Sequence, residues 1–133
     1  MKVLLDTDLL LDVALHRAVF FGNSAAVLQW AESEPGRTAV AWHSIANLSY
    51  LLRPDARPFI RELLEFVEVP ATGTEAAMHA IESPMQDLED ALQAAAALAF
   101  GAAFIVTRNT VDYRRSPVPA ISPAGFLKRI NPD

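Results

Sequence analysis

Five aspartates stand where a strand should end or a helix should begin, and they are the residues of this chain best suited to chemistry. Asp6 and Asp8 follow the apolar run Val3-Leu4-Leu5. Asp87 and Asp90 open a long alanine-rich segment, and Asp112 comes shortly after a second apolar run, Phe104-Ile105-Val106. Converging carboxylates repel and raise one another's pKa, so a fold keeps such a group mainly where a cation relieves it. An all-oxygen ligand set suits Mg2+ or Mn2+ rather than zinc or copper. Two such ions roughly 3.5–4 Å apart can activate water against a phosphodiester and stabilise its leaving oxygen.

Each acid also has a plainer reading. An Asp after a strand is commonly a helix cap, and that is the reading favoured for Asp8. Asp12 reads as a solvated helix residue. Acids in a helix's first turn favour the helix dipole, which by itself would account for Asp87 and Asp90. For Asp90 the metal reading ranks higher, because Ala91 and Leu92 begin a buried face. Glu89 should point elsewhere, and Asp112 also suits a turn. The shared placement of the acids carries more than any one of them.

The elements that would position them alternate. Strand candidates are residues 3–5, 38–42, 67–69, 104–106 and 119–121. Between them, helical patterns cover residues 9–33 (with a break or cap at Gly22-Asn23-Ser24), 44–52, 54–66, 74–81 and 83–100, and Ser122-Pro123 caps a last helix to Ile130. Thr7 or Asp8 is expected to cap the first helix, and Arg114 to Pro119 is the expected exposed loop. Alternating strands and helices imply a parallel sheet covered on both faces. The expected fold is a three-layer α/β/α sandwich with a central parallel sheet of four or five strands, one domain over residues 1–133. Ligands of such sheets bind outside the carboxyl ends of the strands. The amino end of the alanine-rich helix lies at that same edge, so the five acids can converge there.

Bulk properties narrow the classes. With 133 residues the chain suits one domain and is short for two. It has no cysteine, which removes thiol catalysis and cysteine-based zinc sites. Its net charge of -5 argues against a basic sleeve for nucleic acid, although acids that hold metal ions are neutralised once the ions bind. No apolar run approaches the ~20 residues that span a bilayer, and Met1 to Asp6 does not resemble a signal peptide. A soluble cytoplasmic protein is expected. Arg108, Arg114 and Arg115 flank Asp112 and suit either phosphate contact or a solvated loop. His16, His43 and His79 are too scattered to suggest a metal triad, and Trp30 and Trp42 suit the core. The Phe20-Phe21 pair points to a partner interface, with core packing as the plainer account.

The segments Leu4-Leu5-Asp6-Thr7-Asp8-Leu9, Ser44-Ile45-Ala46-Asn47-Leu48, Asp87-Leu88-Glu89-Asp90-Ala91-Leu92-Gln93, Val106-Thr107-Arg108-Asn109 with Asp112-Tyr113, and Ile121-Ser122-Pro123 follow one another in a distinctive order. In that order the chain resembles the PIN-domain family, specifically the small prokaryotic members often found as VapC-like toxins. The resemblance implies a metal-dependent endoribonuclease, often a homodimer and often held inactive by a partner antitoxin. Asp6, Asp90 and Asp112 match the family's metal-holding acids, and Asp87 matches a further acid common in this subgroup. Thr107 and Asn109 are expected to orient these acids by hydrogen bonds, with Asp8 and Asn47 beside them. Two departures matter. Most members carry a Glu in the helix after strand two, where this chain has Asn47 and no acid between Glu34 and Asp55. Most also have Asn where Asp8 stands. Metal-assisted hydrolysis of RNA phosphodiesters is therefore the leading expectation, with Mg2+ or Mn2+ as cofactor. A catalytically weak PIN fold that binds RNA or protein is the alternative.

The Asp6-Thr7-Asp8 opening also resembles that of haloacid-dehalogenase-like phosphatases. Those enzymes, like receiver domains, need a lysine beside the phosphoryl group. The two lysines here, Lys2 and Lys128, lie before the first strand and in the last helix, so both readings rank low.

Overall fold

The computed structural model describes residues 1–132. Its strands are β1 (Val3–Leu5), β2 (Thr38–Val40), β3 (Phe104–Val106) and β4 (Ala120–Ile121). Its helices are α1 (Thr7–Ala14), α2 (Phe21–Ser33), α3 (Trp42–Leu51), α4 (Ala56–Leu63), α5 (Thr74–Glu82), α6 (Leu88–Phe100) and α7 (Pro123–Ile130), with a short 3-10 turn at Thr110–Tyr113. The sheet is parallel throughout, in the order β2-β1-β3-β4.

Side chains alternate across a strand, and here the alternation builds two cores. Val3, Leu5, Val40 and Val106 point into a core with Leu9, Leu10, Val27, Leu48 and Phe126, from α1, α2, α3 and α7. Leu4, Ala39 and Ile105 face the other way, onto Ala80 of α5 and Ala91, Ala94, Ala97 and Phe100 of α6. Three layers result, and β1 and β2 are buried on both faces, with β4 at the partly exposed edge. Alanine is the strongest helix former, and its small side chain lets α6 lie close against the sheet. Asp87 caps α6 by accepting from the Asp90 N–H at 2.9 Å. Gly101 ends it in the left-handed region, φ 78°, where a side chain would be strained.

Several sequence expectations change. Residues 67–69 contribute one parallel bridge, Ala39 to Glu68, and no strand. Pro70 has no N–H with which to continue the ladder. Trp42 begins α3 and is 71% exposed, outside the core, whereas Trp30 packs edge-on against Phe126. The cap of α1 is Asp6, which accepts from the Thr7 N–H, and not Thr7 or Asp8. The chain leaves β1 toward β2 on one side, and β3 lies on β1's other side. The crevice where the sheet order reverses therefore opens between the carboxyl ends of β1 and β3.

Candidate active site

Asp6 sits at the mouth of that crevice because β1 ends there. Its N–H donates to the Val106 carbonyl at 3.1 Å, so the first residue past β1 is still fastened to β3. The Asp6 carboxylate is nearly buried, with 7% of the residue exposed. Its Oδ1 accepts from the Thr7 N–H at 2.7 Å, and its Oδ2 accepts from the Thr107 hydroxyl at 2.8 Å. Asp90, in the first turn of α6, comes to the same place from another layer. The Tyr113 hydroxyl lies 3.2 Å from Asp6 Oδ2 and 3.3 Å from Asp90 Oδ1, so one phenol touches both acids. Beside them is an open cleft of about 580 Å3, lined by Met85, Asp87, Asp90, Val111, Asp112, Arg114 and Arg115. Four of the residues singled out in the sequence, Asp87, Asp90, Arg114 and Arg115, thus share one wall with Asp112.

Asp8 faces this group from α1. Asn109 Nδ2 donates to its Oδ2 at 3.0 Å, and the Thr107 hydroxyl lies 3.4 Å from the same oxygen. Thr107 thus touches Asp6 and Asp8, whereas the Asn109 side chain meets Asp8 and not Asp6, Asp90 or Asp112. Asp8 is half-buried in the first turn of α1 and is not its cap.

Arg108 lies elsewhere. Its guanidinium forms a two-point pair with Asp12, Nε to Oδ2 at 2.8 Å and Nη2 to Oδ1 at 3.2 Å, and rests 3.9 Å above the Phe20 ring. Asp12 is fully buried rather than solvated, and it also meets Arg17 at 3.4 Å and Ser24 at 3.3 Å. The physical reason is register: Asp12 is on the inward side of α1, directly across from the segment after β3. The exposed Phe20 and the half-buried Phe21 serve neighbouring contacts, Phe20 under Arg108 and Phe21 stacked on His16.

Asn47 is on α3, and its amide reaches the exposed Glu89 at 3.4 Å. A buried polar knot beneath the site had no signal in the sequence. Gln93 Nε2 donates to Ser44 at 2.8 Å and to Thr7 at 3.2 Å, and the two hydroxyls are 2.8 Å apart. It ties α6, α3 and α1 together directly behind Asp6. Thr7, Ser44 and Gln93 all lie in the segments singled out above, but nothing local marks a buried amide or the meeting of the three.

The electrostatics match a group of acids short of positive charge. Burial, then the nearby Asp6 charge, pushes Asp8 up to about 6, against the pull of Arg108. Burial, then Asp87, Asp6 and Asp112, pushes Asp90 up to about 6, against the hydrogen bond from Tyr113. The Tyr113 hydroxyl is pushed well above its ordinary range by burial and by Asp6 and Asp90, so it stays protonated and can donate. Burial lowers His43, against the raising effect of Glu89 and Asp6.

Among the described residues no three Asp, Glu, His or Cys side chains are already gathered tightly enough to hold one ion. The donor set nevertheless fits a hard divalent cation: it is all oxygen, Asp6 and Asp90 are held by hydrogen bonds, and Asp8 and Asp90 are raised, first by burial and then by neighbouring carboxylates. Asp6, Asp90 and Asp112 are the residues that would hold it, with Asp87 and Asp8 at its edges.

A family model described as PIN domain matches residues 2–111. No curated protein sequence matches the chain. Among solved structures, the chain is similar to a toxin-antitoxin complex from Klebsiella pneumoniae, with TM-score 0.67, 20% identity, 92% of this chain and 98% of that one covered. It is also similar to VapBC2 from Rickettsia felis bound to a promoter DNA fragment, at TM-score 0.66, 18% identity and the same 92% and 98% coverage. A third similar structure is FitAcB from Neisseria gonorrhoeae, at TM-score 0.59, 16% identity, 92% and 99%. At these identities the likeness is one of fold.

Proposed function

The chain belongs to the PIN-domain family, and from that premise we propose that it is a divalent-cation-dependent endoribonuclease whose ligands are Asp6, Asp90 and Asp112. The observation that carries this is the meeting of Asp6, from the end of β1, and Asp90, from α6, on one hydroxyl beside a cleft that Asp112 also lines. Mg2+ or Mn2+ bound there would supply a nucleophilic water at neutral pH and polarise the phosphodiester.

The chain's own residues do the rest. Thr107 and the Thr7 N–H fix the orientation of Asp6, and Asn109 fixes that of Asp8. Arg114 and Arg115, exposed on the cleft wall, supply positive charge where an RNA backbone would lie. Arg108 is spent on Asp12, so its role is to hold the segment that carries Thr107 and Asn109. The similar structure from Klebsiella pneumoniae is a toxin-antitoxin complex, which supports a cognate antitoxin as partner. A second copy of the chain and a cytoplasmic setting belong to the same reading. Among the described residues no helix is long and apolar enough to cross a membrane.

One observation favours a second reading. Helix α3 carries no acid toward the site, and Asn47 spends its amide on Glu89. A module that binds RNA or protein without cutting would need none. Incubating a mixed RNA pool with the antitoxin-free protein and Mn2+ separates the two. Cutting by wild type that Asp90→Asn abolishes is the expected result. Intact RNA with bound wild type would move the assignment to the binding module.

A further inference from the structure

Tyr113 follows Asp112 in the 3-10 turn yet points inward. It is 2% exposed and packs in the core with Leu4, Ala91 and Val118. A buried phenol there needs a hydrogen-bond partner, and many carbonyls would serve. Its hydroxyl instead lies against two carboxylates, Asp6 Oδ2 and Asp90 Oδ1. Among the described residues it is the one group hydrogen-bonded to both.

The lone pairs favour a supporting role over a blocking one. A carboxylate offers about four acceptor positions. On Asp6, Thr107 and Tyr113 occupy Oδ2 while the Thr7 N–H uses one position on Oδ1. On Asp90, Tyr113 uses one position on Oδ1, and Asp90 itself lines the cleft. Oxygen positions on both acids therefore stay open to a cation while the phenol keeps its contacts.

We propose that Tyr113 is a positioning residue that clasps Asp6 and Asp90 into a ready-made ligand pair, joining the edge of the sheet to α6. This rests on the cation-dependent reading above. The phenol carries one proton for two acceptors, so it is shared between them and draws both toward one oxygen. Two like-charged groups from separate layers are thereby held together before any cation arrives, and the cost of gathering them is met by folding.

The test is Tyr113→Phe, which keeps the ring and removes only the hydroxyl. Mn2+ binding to the metal-free protein is measured by calorimetry, beside the melting temperature without metal and the kcat and KM for RNA. The expected result is Mn2+ binding weakened about tenfold, the size expected for losing one hydrogen bond to a charged group. Cleavage should fall at limiting Mn2+ and recover at high Mn2+, with KM for RNA unchanged. A lower melting temperature with unchanged Mn2+ affinity would reduce Tyr113 to a packing residue and overturn the proposal. Tighter Mn2+ binding would overturn it too, by showing that the hydroxyl competes with the ion. In both cases the nuclease reading survives if wild type binds Mn2+ and cuts. A wild type that binds no Mn2+ removes both.

Discussion

Replacing Asp12 by Asn should destabilise the protein more than any other single change of charge. The substitution keeps the shape of the side chain and deletes its charge. Asp12 is fully buried, and its two oxygens face Arg108 at 2.8 and 3.2 Å, Arg17 at 3.4 Å and Ser24 at 3.3 Å. Breaking a buried ion pair from one side costs about 3–5 kcal/mol, because the remaining charge is stranded. Arg108 and Arg17 keep 24% and 39% of their side chains exposed, so solvent screens part of that charge. The lower end of the range, about 3 kcal/mol, is the expected loss. For a domain of this size roughly 3–4 °C accompany each kcal/mol, which makes the drop in melting temperature about 10 °C. Thermal and urea unfolding followed by circular dichroism measure it, with an unchanged urea slope showing that the folded and unfolded states are otherwise alike. Arg108→Met should cost a similar amount, and the double variant less than the sum of the two. An Asp12→Asn protein that melts within about 2 °C of wild type would refute the reasoning, since it would mean the pair is not sealed from water.

Two other outcomes follow from the site. Asp90 is raised from 3.8 to about 6 in the folded protein, so between those values the native state holds a proton that the unfolded chain has released. That contribution to stability is full at low pH and is lost as pH rises through about 6. In metal-free protein, Asp90→Asn should therefore gain more in melting temperature over wild type at pH 7 than at pH 4.5, and an equal gain at both would contradict the raised pKa. Arg114→Ala and Arg115→Ala should weaken RNA binding about equally across sequences, and each should lower the slope of log affinity against log salt by about 1, as read by fluorescence anisotropy.

The parts of this molecule that were legible in the sequence are those set by local pattern. The apolar triplets at Val3–Leu5 and Phe104–Val106 are strands, and the alanine run is a helix closed by Asp87 and Gly101. Asp6 and Asp90 follow from those elements, because an acid placed after a strand or at a helix start is carried to the sheet's carboxyl edge wherever the strand lies. Residues 67–69 misled for a local reason as well: the triplet has a strand's composition, but pairing beyond one bridge needs a neighbour and an N–H that Pro70 lacks.

What the chain's sequence determined by itself was the alternation of strand and helix, the parallel sheet that such alternation demands, and which acids reach its edge. Those depend on periodicity, end signals and connection length, all written within a few residues of where they act. The tertiary structure alone decided how the polar groups pair. Asp12 became a buried ion partner because β3 lies beside β1 and brings Arg108 across 96 positions of sequence. Gln93 found Ser44 and Thr7 only once α6, α3 and α1 had closed over one corner. Tyr113 became the contact between Asp6 and Asp90 because the turn after β3 aims it inward. Hydrogen bonds and ion pairs act over a few ångströms in directions fixed by strand order and helix docking, and no local pattern encodes them.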